Sequence, residues 1–279
     1  MAATLRGLEG KNVLITGAAK GQGYSHSLAF AEAGANIAAL DITEEIPDIY
    51  PLATAQMLED TVAAVEARGQ RCIGLPCDIR DEAQVEASVN KALEFFDGRI
   101  DIVVNNAGMA AMDSIQTMRS HVMDAIIDTV VKGHMYVAKY TVPNMIGRGS
   151  GKIINISSGV TMSGHAQISH YVAAKHAIQG LTSSWAMELS EFGINVNAIA
   201  PTTIKPGEGQ GSGMVLGFAN ELGLDPAEAF EALSAGNMPG AKWRTECSHV
   251  TDAVLFLASD NADQITGVVL PVDAGQGAK

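Results

Sequence analysis

Short apolar runs alternate with amphipathic stretches along nearly the whole chain, and this alternation constrains the fold more than any other feature. NVLIT leads through a glycine-rich turn into a helix expected from about Gly23 to Ala33, and NIAALD follows as a second strand. The pattern continues with the helix MLEDTVAAVEARG, the strand CIGLPCD, the helix VEASVNKALEFF and the strand IDIVVNNAG. A long helical region through HVMDAIIDTVVKGHMYVAKY, the strand KIINIS, a helix opening near Tyr171 and the strand INVNAIA complete the centre; VTDAVLFLAS and GVVLPVD close the chain. Strands that must each return in the same direction after a helix build a parallel sheet covered on both faces. Right-handed crossovers make it doubly wound, with ligands beyond the carboxyl ends of the strands. The expected fold class is α/β, a Rossmann-like doubly wound parallel sheet in a single domain spanning residues 1–279. A hydrophobic share of 47% over this length supports one sizeable core.

Two segments break the rhythm. ITEEIPDIYPLATAQ, at 42–56, is polar and proline-bearing and reads as an insertion after the second strand. Residues 202–249 open with the glycine- and proline-rich TTIKPGEGQGSGM and continue into one or two short helices, the pattern of a substrate lid. A formal net charge of −13 without any Lys/Arg-rich run argues against nucleic acid and anionic membrane surfaces as partners. The polar start MAATLRGLEGKN does not read as a signal peptide, and no apolar run reaches membrane-spanning length. Cys72, Cys77 and Cys247 form no metal pattern; Cys72 and Cys77 are expected on opposite faces of one strand as reduced core thiols. The cytoplasm is the simplest location.

The first strand runs into Thr16-Gly17-Ala18-Ala19-Lys20-Gly21-Gln22-Gly23. A strand, a glycine-rich turn and a helix start present backbone N–H groups and the helix dipole to a pyrophosphate. Glycine lets that backbone approach closely. Asp41 ends the second strand, where a carboxylate can accept both hydroxyls of an adenosine ribose and repel a 2′-phosphate, so NAD is favoured over NADP. Lys20 pulls the other way, as a possible phosphate partner.

Tyr171 and Lys175 stand four residues apart in HYVAAKHAIQGL, and Ser158 precedes the tyrosine in IINISSG. An ammonium at i+4 on one helical face favours a phenolate. At ~4 Å and an effective dielectric of ~20 such a charge is worth roughly 4 kcal/mol, about three pKa units. That would bring the phenol toward general-base range, with the serine hydroxyl holding the reacting oxygen.

TGAAKGQG, NNAG at 105–108, Ser158 and Tyr171-xxx-Lys175 together resemble the short-chain dehydrogenase/reductase family over nearly the whole chain. The resemblance implies a seven-stranded Rossmann-like sheet and nicotinamide-dependent hydride transfer. Ser158, Tyr171 and Lys175 would be catalytic, with the last two also touching NAD. Gly17, Gln22, Gly23, Asp41, Asp78, Ile79, Asn105 and Ile204 would contribute to the NAD site, with Asp78 and Ile79 near adenine and Asn105 near the cofactor ribose. GQGYSHS, the insertion and Ala200-Pro201-Thr202 are similar to the carveol dehydrogenase-like, mycofactocin-associated branch. That branch implies that residues 42–56 cover NAD, a plain surface loop being the alternative. It also implies a mycofactocin-type redox partner, and the family implies a homotetramer built on the long helix at 114–146 and the Tyr171 helix.

Two departures stand out. Val130, ahead of Gly133, occupies the position of an asparagine that normally helps hold a relay water next to the lysine; Thr129 beside it points about 100° away on an α-helix. Pro206 stands where close relatives often carry a threonine, and lacks an N–H. The expected reaction interconverts a secondary alcohol and a ketone in an apolar pocket suited to a cyclic or terpenoid small molecule. Met109, Met162 and Met214, with Met112, Val160, Val215 and Phe218, are the candidate lining residues, Ser158 orients the substrate, and no spacing suggests a catalytic metal. His165 and His170 read as structural or surface residues. The competing reading is a catalytically impaired NAD-binding protein marked by Val130. An enoyl reductase is disfavoured by the tight Tyr-Lys spacing, and an extended-branch epimerase by chain length and glycine spacing.

Overall fold

A computed structural model describes residues 5–205, 213–235 and 244–278; Pro206 and the rest of 206–212, together with 236–243 of the 202–249 segment, lie outside them. The strands are β1 Asn12–Thr16, β2 Asn36–Asp41, β3 Cys72–Pro76, β4 Ile102–Asn105, β5 Gly151–Ile156, β6 Ile194–Pro201 and β7 Val269–Val272. Among the described residues they form one seven-stranded parallel sheet in the order β3-β2-β1-β4-β5-β6-β7. The strand order reverses between β1 and β4, which register through Val13–Ile102 and Ile15–Val104. A crevice opens at that reversal beyond the carboxyl ends.

The helices are α1 Gly21–Glu32, α2 Ala55–Glu66, α3 Glu82–Phe95, α4 Ser120–Ile127, α5 His134–Arg148, α6 Ser169–Leu189, α7 Gly213–Leu222, α8 Pro226–Leu233 and α9 Cys247–Ala258. Alternate strand residues feed opposite cores, as the period of two requires. Val13, Ile15, Ile37 and Val104 pack under α1, α2 and α9 with Phe30, Leu58 and Val254. Leu14, Ala38, Leu40 and Val103 pack under α3, α5 and α6 with Val89, Met145 and Leu189. Cys72 joins the first core and Cys77 the second, the opposite-face arrangement expected of them. A third cluster lies beyond the strand ends. There Ile46 of the insertion, Met109, Ile126, Val130, Ile168, Tyr171 and Phe218 of α7 come together.

The long helix expected through residues 121–140 is interrupted. A π-helical turn, Asp128–Gly133, joins α4 to α5, whereas Pro143 lies within α5. At this turn the helix presses on the β3–α3 loop: a Cβ on Gly133 would sit 2.6 Å from Ile79 Cδ1. Single π turns inside helices concentrate at functional sites, and this one borders the crevice.

Candidate active site

The turn after β1 is built so that only glycine fits. Gly17 has φ +65, and a Cβ there would lie 2.9 Å from Ala107 Cα; a Cβ on Gly23 would overlap the Gly17 carbonyl. Asn106 clamps the turn, its Nδ2 donating to the carbonyls of Thr16 (2.9 Å) and Gly17 (3.1 Å). The Thr16 hydroxyl in return accepts from the N–H groups of Asn106 and Ala107. α1 starts at Gly21, and its N-cap, Lys20, makes no side-chain cap, which leaves first-turn N–H groups for an anion.

Asp41 lies at the end of β2 and accepts from Ala19 N–H at 2.8 Å. Burial pushes its carboxyl up to about 6, against the Ala19 and Ile42 N–H bonds and the Lys20 charge. Lys20 itself donates to the Pro51 carbonyl at 2.9 Å, so its ammonium holds the insertion. These groups border a cleft of about 170 Å³ whose wall also includes Gly17, Gln22, Asp78, Ile79 and Ile204. Two buried polar atoms of its lining residues, Gln22 Oε1 and Thr129 Oγ1, lack partners among the described residues. An elongated polyhydroxyl dinucleotide with an amide fits such a cradle: the glycine turn would hold its phosphates, and the orphaned oxygens would accept hydrogen bonds from its donors.

Asn105 differs from expectation. It is fully buried below the cleft, where its Nδ2 donates to Asn155 Oδ1 at 2.9 Å, and Asn106 is the residue on the wall. Strand alternation turns neighbouring side chains to opposite sides. Asp78 lines the cleft but also pairs with Arg80 at 2.6 Å.

A second cleft, about 150 Å³, brings Ser158, Tyr171 and Lys175 onto one wall. It shares Gln22, Asn106, Gly108, Ile204 and Met214 with the first. Ser158 precedes a short 3-10 turn, Gly159–Met162, and its Oγ accepts from Val160 N–H at 3.4 Å. Tyr171 and Lys175 lie on α6; Lys175 Nζ donates to the Ile156 carbonyl at 2.7 Å and stands 5.6 Å from the Tyr171 ring centroid.

The expected lowering of the phenol pKa is not what the isolated chain does. Burial pushes Tyr171 up to about 12, with the Ser158 hydroxyl opposing, and burial pulls Lys175 down to about 7. Desolvation penalises both charged forms and outweighs their mutual attraction.

Val130 is buried beside the lysine: a Cβ placed on Gly108 would lie 3.4 Å from Lys175 Nζ and 3.6 Å from Val130 Cγ2. Thr129 faces the first cleft instead. Sequence reasoning missed His134, four residues beyond Val130. It is fully buried, with Nε2 3.0 Å from the Ala107 carbonyl and Nδ1 without a partner among the described residues. Burial, and secondarily the Lys175 charge, lowers its pKa to about 3. His170 anchors the start of α6: its Nδ1 accepts from Tyr171 N–H at 2.9 Å, while Nε2 stands 3.6 Å from Asp113 Oδ2. His165 reaches the wall of the second cleft.

Met109 lines the first cleft, Met214 both, and Val160, Val215 and Phe218 the second. Met162 is a correction. It is 38% exposed, outside both linings, and rests against Gly277, because the 3-10 turn carries it away from Ser158. Met112 also lies outside both walls; its N–H donates to Glu221 Oε2 of α7.

Tyr50 and Gln276 are lining residues that sequence reasoning did not find. For Tyr50 the signal was an aromatic inside a polar insertion. Its ring occupies a notch on α7, where a Cβ on Gly213 or Gly217 would come within 2.7 or 2.6 Å of it.

Comparison with known proteins agrees with this geometry. The sequence profile of the short chain dehydrogenase family matches residues 11–213. The chain is similar to a (-)-trans-carveol dehydrogenase of Rhodococcus erythropolis, 39% identical over 96% of this chain and 98% of that one. Among solved structures it is similar to the carveol dehydrogenase of Mycobacterium avium in complex with NAD, with a TM-score of 0.90 and 33% identity over 99% and 100% of the two chains. A short chain dehydrogenase of Mycobacterium paratuberculosis bound to NAD has a TM-score of 0.86 and 33% identity over 98% and 99%.

Proposed function

The chain belongs to the short-chain dehydrogenase family and is an NAD-dependent oxidoreductase, and from that premise we propose that it interconverts a secondary alcohol and a ketone on a hydrophobic cyclic or terpenoid skeleton. The observation that carries this reading is the meeting of Ser158, Tyr171 and Lys175 on one wall of a cleft contiguous with the dinucleotide cradle. That wall also carries the apolar side chains of Ile156, Val160, Ile168, Val215, Phe218 and Leu233, among polar ones that include His165 and Thr203. The carveol dehydrogenases named above act, by their names, on a cyclic terpenoid alcohol.

When bound, NAD supplies the hydride acceptor. Ser158 holds the substrate oxygen by hydrogen bonding and steadies the charge that develops there. Tyr171 exchanges the hydroxyl proton with that oxygen. Its high pKa keeps it protonated, the form that gives a proton in the ketone direction, but makes it a weak acid and holds back the phenolate; alcohol oxidation needs positive charge nearby. Lys175, brought near neutrality by burial, supplies that charge when protonated. Gly17, Gln22, Gly23, Asp41, Asp78, Ile79 and Ile204 hold the dinucleotide, with Asp41 on the ribose hydroxyls. Tyr171→Phe should cut turnover by at least about a hundredfold while leaving NAD bound; turnover at the wild-type rate would overturn the assignment.

The insertion at 42–56 acts as a cover for NAD and the 202–249 segment as a substrate lid. In support, Ile42, Ile46, Tyr50, Pro51 and Leu52 border the cofactor cleft, and Tyr50 seats on α7. A homotetramer and a mycofactocin-type acceptor belong to the same reading. Exposed Met135 on α5 and Met187 on α6 support a subunit interface on those helices, and light scattering would test it. Val130 favours a second reading, a NAD-binding protein impaired in proton relay; turnover of cyclic secondary alcohols at ordinary enzymatic rates would eliminate it.

A further inference from the structure

The C-terminal tail brings a polar group into the substrate cleft that the catalytic trio does not use. After β7 the Asp273 carboxylate accepts the N–H groups of Gly275 (3.0 Å) and Gly277 (2.7 Å), fixing the short helical turn Gln276–Ala278. Met162 lies so close to Gly277 that no Cβ would fit there, which pins the turn against the segment after Ser158. Gln276 is thereby placed on the same cleft wall as Ser158, Tyr171 and Lys175.

The amide is oriented. Its Oε1 accepts from the Thr202 hydroxyl at 2.7 Å and lies 3.4 Å from where a Cβ on Gly159 would be, one residue beyond Ser158. With Oε1 engaged, the Nε2 group makes no hydrogen bond to the described residues. Two N–H donors therefore remain on a residue of the wall that carries Ser158, alongside the apolar Ile156, Val160, Ile168, Val215 and Phe218.

We propose that Gln276 is a specificity-determining residue whose amide N–H groups bind a second oxygen, hydroxyl or carbonyl, carried by the substrate near its reacting carbinol. The proposal rests on the secondary-alcohol reading above and narrows it. A purely apolar ring would bury the amide without a partner, whereas a ring with a second oxygen would satisfy it. A site that offers a hydrogen bond discriminates against an analogue that cannot accept it.

The test uses the full-length protein with NAD, and cyclohexanol against the regioisomeric cyclohexanediols. Wild type should prefer at least one diol by about tenfold in kcat/KM, mainly through KM. Gln276→Glu keeps an oxygen for the Thr202 hydroxyl and removes the donors; Gln276→Leu removes both. In each, the diol-to-cyclohexanol ratio should fall to about one. A general loosening of the tail would lower both substrates together and leave the ratio intact. Equal use of diols and cyclohexanol by wild type, or a preference that survives in both variants, would overturn the proposal alone. No turnover of any panel member by NAD-loaded protein would overturn the secondary-alcohol reading and this inference with it.

Discussion

Replacing Asp41 by Asn should separate cofactor choice from folding. The carboxylate is buried, accepts one backbone N–H, and is pushed up to about 6 chiefly by desolvation. Asn has nearly the same shape, and its Oδ1 can still accept from Ala19. What it loses is charge. A charge-assisted hydrogen bond contributes about 1.5–3 kcal/mol, so the KM for NAD should rise roughly tenfold to 150-fold. A 2′-phosphate at ~4 Å would meet about 4 kcal/mol of repulsion from the carboxylate at an effective dielectric of ~20, and the variant removes that barrier to NADP. The sign of the stability change is opposite. The folded-state pKa lies above the ordinary 3.8, so ionisation above about pH 6 opposes folding, and the penalty disappears as pH falls below 3.8. Relief of that penalty is worth about 3 kcal/mol at pH 7, and Asp41→Asn should raise the unfolding midpoint. Wild-type affinity for NAD should fall as pH drops through 6, whereas the variant should be flat there. Initial-rate kinetics with NAD and NADP over this pH range, with urea unfolding, measure every term. An unchanged KM for NAD with NADP still rejected would refute the reasoning.

Gly217→Ala places a methyl 2.6 Å from the Tyr50 ring; it should displace the insertion and speed NAD release about tenfold in stopped-flow exchange, with overpacking costing about 1–3 kcal/mol. His26 and His134 are both held near 3 by burial. The unfolded chain therefore binds more protons between about pH 6.5 and 3, and stability should drop by about 1.4 kcal/mol per histidine per pH unit below 6.5. His26→Gln should remove one such increment from the slope of urea-derived stability against pH. Val130→Asn restores a hydrogen-bonding side chain beside Lys175 and should raise kcat at low pH if proton transfer limits the rate; a solvent isotope effect that shrinks in the variant checks it.

The alternation of strands and helices, the glycine turn and the Tyr171–Lys175 step were readable because each depends on local spacing. Gly17 and Gly23 are required by backbone approach, and Asp41 by its place at a strand end. Other features depend on what distant segments do. Asn105 and Asn106 exchange places because the strand end decides which side chain faces the cleft. The π turn at Asp128–Gly133 changes the angular step on which the Thr129 expectation was based. The Tyr171 and Lys175 pKa values reflect burial by the whole third cluster, which a pairwise Coulomb argument along one helix leaves out. Tyr50 and Gln276 come from the insertion and the tail, and reach the site through contacts with α7 and with Thr202 that local spacing does not reveal.

The most direct measurement is single-turnover reduction of NAD by a cyclic secondary alcohol deuterated at the carbinol carbon, in wild type and Tyr171→Phe. Wild type should show a primary isotope effect, and the variant should slow by about a hundredfold to ten-thousandfold with NAD still bound. A variant that reduces NAD at the wild-type rate would contradict the role given to this tyrosine.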